Sequence, residues 1–346
     1  TIALAAFDLE KEDVTADPAR VLAAARAESL SVLIGATVNP LGSVYSFGMR
    51  EQTIRRWAER SPHRALIFAV AMADANIARG YYGNPLAGID RAITSGDDPL
   101  RQSMDIAGAR NAEKPEEDAL PPPRRLEVAR VIGVMASAQS LRARGLREVF
   151  PLTPESLIQQ IERSGGNLRQ NRDYRQALED IDREGLYGGL LDMALAAEDF
   201  EYFLNTTDSP LPEITLRFET PHGVFIIDTT TANNTHDLSA DGEVAFLFDA
   251  GGDDTYRGDM PENGPRLIVD QAGNDTYESG YATGVMNYGV TWDMGGDDTY
   301  TGEKFEAASA VFGGAMLVDR GGHDTYDALA YSQSFALAGV ALLLDY

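Results

Sequence analysis

Apolar residues along this 346-residue chain follow two rhythms, and the change falls near residue 208. Up to about residue 205 they recur at helical spacing, with repeated start signals. Asp17-Pro18 supplies an N-cap and a first-turn proline for a helix over 18–36. Further helices are predicted over 48–60, 62–80, 124–145, 153–166 (with Thr153 as cap) and 173–204. The acidic, proline-rich stretch 112–123 reads as a linker. After TDSPLP (207–212) the helical period disappears, and EITLRFET and GVFIID, separated by PHG, alternate as a strand pair does. The fold class expected is α+β multidomain: an α-helical domain over 1–207, then a β-domain over 208–346.

The second part repeats. Short apolar runs close on an aspartate at Asp228, Asp249, Asp270, Asp293, Asp319 and Asp345, spaced by 21, 21, 23, 26 and 26 residues. After the runs come GGDDTY (251–256), AGNDTY (272–277), GGDDTY (295–300) and GGHDTY (321–326). One strong strand and one turn per drifting period suit a parallel β-helix, or β-solenoid, of about five coils, with insertions gathered in one loop. TTTANNTH (229–236) is a degenerate first copy and reads as a cap.

Stacking in register makes columns. Asp249, Asp270, Asp293, Asp319 and Asp345 form one, Asp254, Asp275, Asp298 and Asp324 a second, and Asp253, Asn274 and Asp297 lie beside it. Carboxylates one strand apart, about 4.8 Å, repel by several kcal/mol when poorly solvated. Raised pKa values, hydrogen bonds or cations must answer that repulsion. Hard oxygen ligands beside glycine turns suit Ca²⁺. The alternative is that the same residues serve only as turn formers.

Charge supports the cation reading. Of the chain's net −25, residues 228–346 hold 21 acidic side chains against Arg257, Arg266, Lys304 and Arg320. Nucleic acid and anionic membranes are poor partners for such a surface. No cysteine is present, which removes disulfides, thiolate nucleophiles and Cys-based metal sites. The most apolar helical stretch, 65–78, is too short for a membrane span and carries Asp74.

AGNDTYESG (272–280) resembles the glycine- and aspartate-rich nonapeptide of RTX-type (hemolysin-type) calcium-binding repeats. Five positions of each turn between about 249 and 326 match its core. The resemblance implies that Asp254, Asp275, Asp298 and Asp324 are calcium aspartates, assisted by carbonyls near Gly252, Gly273, Gly296 and Gly322. The pattern departs from that family: the motif occurs once per coil instead of in tandem, and aspartate replaces the leading glycine.

Catalysis has no signature here: G-x-S-x-G, phosphate-loop and H-E-x-x-H motifs are all missing from the sequence. His236 and His323 lie in repeat turns beside acidic groups and could bind a transition metal, but they read first as variation at exposed positions. The expected function is a non-enzymatic, exported calcium-binding scaffold or protein-interaction protein, periplasmic or extracellular. The alternatives are a carbohydrate-active enzyme acting on polysaccharide along a β-helix face, and an accessory subunit of a larger complex.

Overall fold

In a computed structural model the chain forms two compact units, 1–75 and 76–346. The structure describes residues 54–73, 86–108, 120, 122–147, 149, 152–164, 171–206, 212–240 and 242–346. The expected helix over 18–36 and most of the 112–123 linker lie outside them. In the first unit, α1 (Pro62–Ala73) starts where Ser61 Oγ accepts the Arg64 N–H at 3.2 Å, and it buries Ala65, Leu66 and Val70.

The second unit begins with α2 (Ala87–Ile93), α3 (Pro99–Ile106), α4 (Pro122–Gly145), α5 (Pro154–Ser164), α6 (Arg172–Asp180) and α7 (Arg183–Thr206). Thr153 caps α5, its Oγ1 accepting the Ser156 N–H at 3.2 Å. The run expected as one helix over 173–204 breaks at Ile181, which is extended. Asp182 restarts it, accepting the Gly185 N–H through Oδ1 and the Leu186 N–H through its carbonyl. α4 and α7 pair closely because Gly145 and Gly185 meet; a Cβ on Gly185 would lie 2.7 Å from the Gly145 nitrogen.

From Thr215 onward the chain winds into a parallel β-solenoid. β1 (Thr215–Thr220) and β2 (Gly223–Asp228) form the expected antiparallel hairpin, and β2 starts the stack. The main sheet runs β1-β2-β4-β6-β9-β12-β15, with β4 (Val244–Asp249), β6 (Arg266–Asp270), β9 (Tyr288–Asp293), β12 (Gly314–Asp319) and β15 (Val340–Asp345) all parallel to β2. A second sheet holds β3 (Thr235–Asp237), β5 (Thr255–Arg257), β7 (Thr276–Tyr277), β10 (Thr299–Gly302) and β13 (Thr325–Ala328). A third contains β8 (Thr283–Val285), β11 (Ser309–Val311) and β14 (Ala336–Leu337). This third side explains the drifting period. The coil between Asp249 and Asp270 has no strand there, and each longer coil after Asp270 adds one.

The central main-sheet strands β4, β6, β9 and β12 are buried on both faces, which is why they read as continuous apolar runs. One face fills the solenoid; the other carries α7. Phe200 packs edge-on against Phe246 and Phe248, the Tyr288 hydroxyl donates to the Gly185 carbonyl at 2.5 Å, and Trp292 Nε1 donates to Glu201 at 2.9 Å. On the third side, Tyr174, Leu157 and Ile161 of α5 and α6 pack with Val285, Val311 and Phe312. Arg266 is buried and spans coils, donating to the carbonyls of Val244, Leu238, Asp259 and Gly280. Four acceptors hold the charge in place, although burial lowers its pKa to about 10.

Candidate metal centre

The strand register aligns Asp228, Asp249, Asp270, Asp293, Asp319 and Asp345 in one column. The turn that follows each strand returns a second aspartate to the same edge of the interior. Glycine makes this stacking feasible. A Cβ on Gly273, Gly296 or Gly322 would sit 1.7, 1.5 or 1.6 Å from the carbonyl oxygen of Gly252, Gly273 or Gly296 in the preceding coil.

Two hydrogen-bond ladders run through these turns in opposite directions. In the outer, exposed one, a side-chain oxygen accepts the backbone N–H of the next coil. Asn233 accepts from Asp253, Asp253 from Asn274, Asn274 from Asp297 and Asp297 from His323, at 2.9–3.1 Å. In the inner ladder each Oδ1 accepts the N–H of the coil before. Asp275 accepts from Asp254 at 2.6 Å, Asp298 from Asp275 at 2.7 Å and Asp324 from Asp298 at 2.9 Å. The structure therefore separates Asp253, Asn274 and Asp297, which point outward, from Asp254, Asp275 and Asp298, which are buried.

A ring column closes the inner side. His236, Tyr256, Tyr277, Tyr300 and Tyr326 stack with centroids 4.6–5.2 Å apart. The polar tips of His236, Tyr256, Tyr277 and Tyr326 reach the strand-end aspartates of the main sheet, while the buried Tyr300 hydroxyl has no hydrogen-bond partner. Tyr256 donates to Asp270, and Tyr277 to Asp293 at 2.8 Å. His236 Nε2 lies 2.6 Å from Asp249 Oδ2. His236 is thus no exposed variant: it is buried and holds the first position of the tyrosine column. His323 is exposed.

Among the described residues the carboxylates converge in four groups, each with its ligand atoms within 4.8 Å of one another: Asp228–His236–Asp249, Asp249–Asp254–Asp270, Asp270–Asp275–Asp293 and Asp293–Asp298–Asp319. All are buried. Asp324 belongs to the inner ladder, and its Oδ2 is buried without a partner, but it falls in none of these groups. Asp228 and His236 fall outside the calcium ligands expected from the sequence; the column register and the Tyr-to-His replacement are the signals that point to them.

The acid column leaves several carboxylate oxygens unpaired. Oδ2 of Asp254, Asp275 and Asp298 and Oδ1 of Asp270 are buried without a hydrogen-bond partner. Gly251, Gly295 and Gly321 each donate to the aspartate two residues earlier. Ala272 stands at the equivalent place after Asp270, and Asp270 Oδ1 is left over. Burial, with neighbouring carboxylates adding to it, pushes Asp254 and Asp319 up to about 6, Asp275 to about 7 and Asp298 to about 8. Asp270 and Asp293 are raised in the same way.

No family model, curated protein or solved structure matches this chain. The site must be read from its own chemistry. Three of the four groups offer only carboxylate oxygen, each with an unused buried lone pair. Two oxygens on opposite sides of a calcium ion at 2.3–2.6 Å are about 5 Å apart, so the grouping matches the size of a hard cation's shell. Either protons or cations can neutralise it.

Proposed function

We propose that this chain is a non-enzymatic, exported scaffold whose β-solenoid is locked by calcium ions between its coils. The observation that carries the reading is the set of buried carboxylate oxygens with no partner, on Asp254, Asp270, Asp275 and Asp298. Leaving such atoms unpaired costs about 1–3 kcal/mol each, and more when charged. An ion between coils satisfies them together. Oxygen-only ligands and irregular geometry favour Ca²⁺ over Zn²⁺, and over Mg²⁺, which demands a near-ideal octahedron. The acids face inward beneath a tyrosine column, which suits a structural site better than a substrate-binding face. Calcium abundance outside the cytoplasm agrees with this role, and the rigid acidic solenoid with its helical layer suits a protein-interaction part.

Thermal melting tests the proposal. Chelator should lower the Tm at pH 8 by several degrees, millimolar Ca²⁺ should restore it, and equal Mg²⁺ should restore much less. Asp275→Asn should weaken the calcium response, whereas Asp259→Asn, at an exposed position, should leave it intact. A Tm indifferent to chelator and calcium would sink the reading.

A further inference from the structure

The four acidic groups are not equivalent, and the difference sets how many ions the column takes. In the first group every carboxylate oxygen is engaged. Asp228 Oδ1 accepts from the Thr230 N–H at 3.0 Å and the Thr230 hydroxyl at 2.8 Å, and its Oδ2 accepts from Asn234 Nδ2 at 3.2 Å. Asp249 accepts from the Gly251 N–H at 2.9 Å and faces His236 Nε2 at 2.6 Å. Asn234 occupies the turn position that Asp254, Asp275 and Asp298 hold in later coils. Its amide donates where those carboxylates leave an oxygen unpaired.

The other three groups each contain at least one such oxygen, on side chains 0–2% exposed. They also share members: Asp270 belongs to two groups, and so does Asp293. We propose that the solenoid binds a row of three divalent cations, one in each of these groups, and that Asn234 ends the row at the hairpin-capped end. This rests on the calcium reading above. Ions one coil apart would be about 4.8 Å from one another, wider than the roughly 3.5–4 Å of carboxylate-bridged two-metal sites. Three dications against the seven aspartates of the three groups leave a net charge of −1, so the row nearly neutralises its own cage. Asp270 and Asp293 are the bridging ligands, which makes filling of adjacent sites interdependent.

Counting bound Ca²⁺ on the full chain by equilibrium dialysis tests this, with calcium alone as the ligand. The wild-type chain should bind three ions at saturation, and Asn234→Asp, which supplies the missing carboxylate, should bind four. A count of one or two in the wild type overturns the row while leaving the calcium scaffold standing. A count of zero overturns both. An Asn234→Asp variant with native circular dichroism that still binds three overturns the role given to Asn234. If that variant does not fold, the wild-type count alone decides whether the row exists.

Discussion

At the scale of single residues, the inner turn aspartates do two jobs with two oxygens. Oδ1 of Asp275 holds the Asp254 N–H, and Oδ2 is left in the dry interior. Changing Asp275 to Asn keeps the acceptor and removes the charge. The chain already makes that change once, at Asn234, whose amide donates to Asp228. Asp275→Asn should therefore have opposite effects in two conditions. Without metal at pH 8 it should stabilise the fold, by about 1–3 kcal/mol, because a buried unpaired carboxylate is gone. With saturating calcium it should destabilise by a similar amount, because an ion ligand is gone. Urea unfolding in chelator and in calcium measures both; the same sign in each would show that Asp275 does not meet an ion. The residue types of this site were legible in the sequence, since the repeat fixes which aspartates align. Their division into an outward and an inward ladder was not legible, because adjacent residues such as Asp253 and Asp254 differ only in which way the turn presents them.

At the scale of elements, the coils stack as closely as glycine permits. Gly296→Ala puts a methyl against the Gly273 carbonyl, which is backbone and has nowhere to move without parting the coils. The loss should be at least about 2 kcal/mol. Gly88→Ala, in α2 with nothing within 4 Å of a built Cβ, should instead gain about 0.4–1 kcal/mol by restricting the unfolded chain. Shifts of the urea midpoint in opposite directions are expected, and a neutral Gly296→Ala would mean the coils tolerate separation. The central main-sheet strands β4, β6, β9 and β12 were readable because both their faces are buried, leaving unbroken apolar runs that end on aspartate. The third sheet was not readable. Its strands are two or three residues long, and their corners use non-glycine residues at positive φ: Ala282, Ala308 and Ser334 before the strand, and Met286, Phe312 and Ala338 after it. Small residues and left-handed corners without glycine give no periodic signal, so the growing repeat length was their only trace. The break between α6 and α7 was hidden for a different reason: helical spacing continues across Ile181 and Asp182, and Asp182 stands out from the other acidic residues of that run only through its hydrogen bonds to Gly185 and Leu186.

At the scale of the whole molecule, the acid column links stability to pH and calcium together. Asp254, Asp275, Asp298 and Asp319 have folded pKa values of about 6, 7, 8 and 6, all above the ordinary value of 3.8. A group raised in this way binds its proton more tightly folded than unfolded. Its contribution is fully present below pH 3.8 and is lost as pH rises through the folded value. The metal-free protein should accordingly have a higher Tm at pH 5 than at pH 8, with the fall steepest at about pH 5 and levelling off towards about pH 8 as the last folded value is passed. That is opposite to the usual acid-sensitive behaviour of surface carboxylates paired with bases. Calcium reverses the balance, because it binds the deprotonated carboxylates and competes with the protons. At 100 times its dissociation constant a single ion adds about 2.7 kcal/mol, enough to oppose the alkaline loss. With calcium in excess the Tm at pH 8 should equal or exceed that at pH 5, so the two Tm–pH curves cross. Melting curves at half-unit pH steps, in chelator and in calcium, measure this directly. A metal-free Tm that rises steadily from pH 5 to pH 8 would mean that the column is not held as buried, proton-sharing acids, and the physical basis for an ion between the coils would go with it.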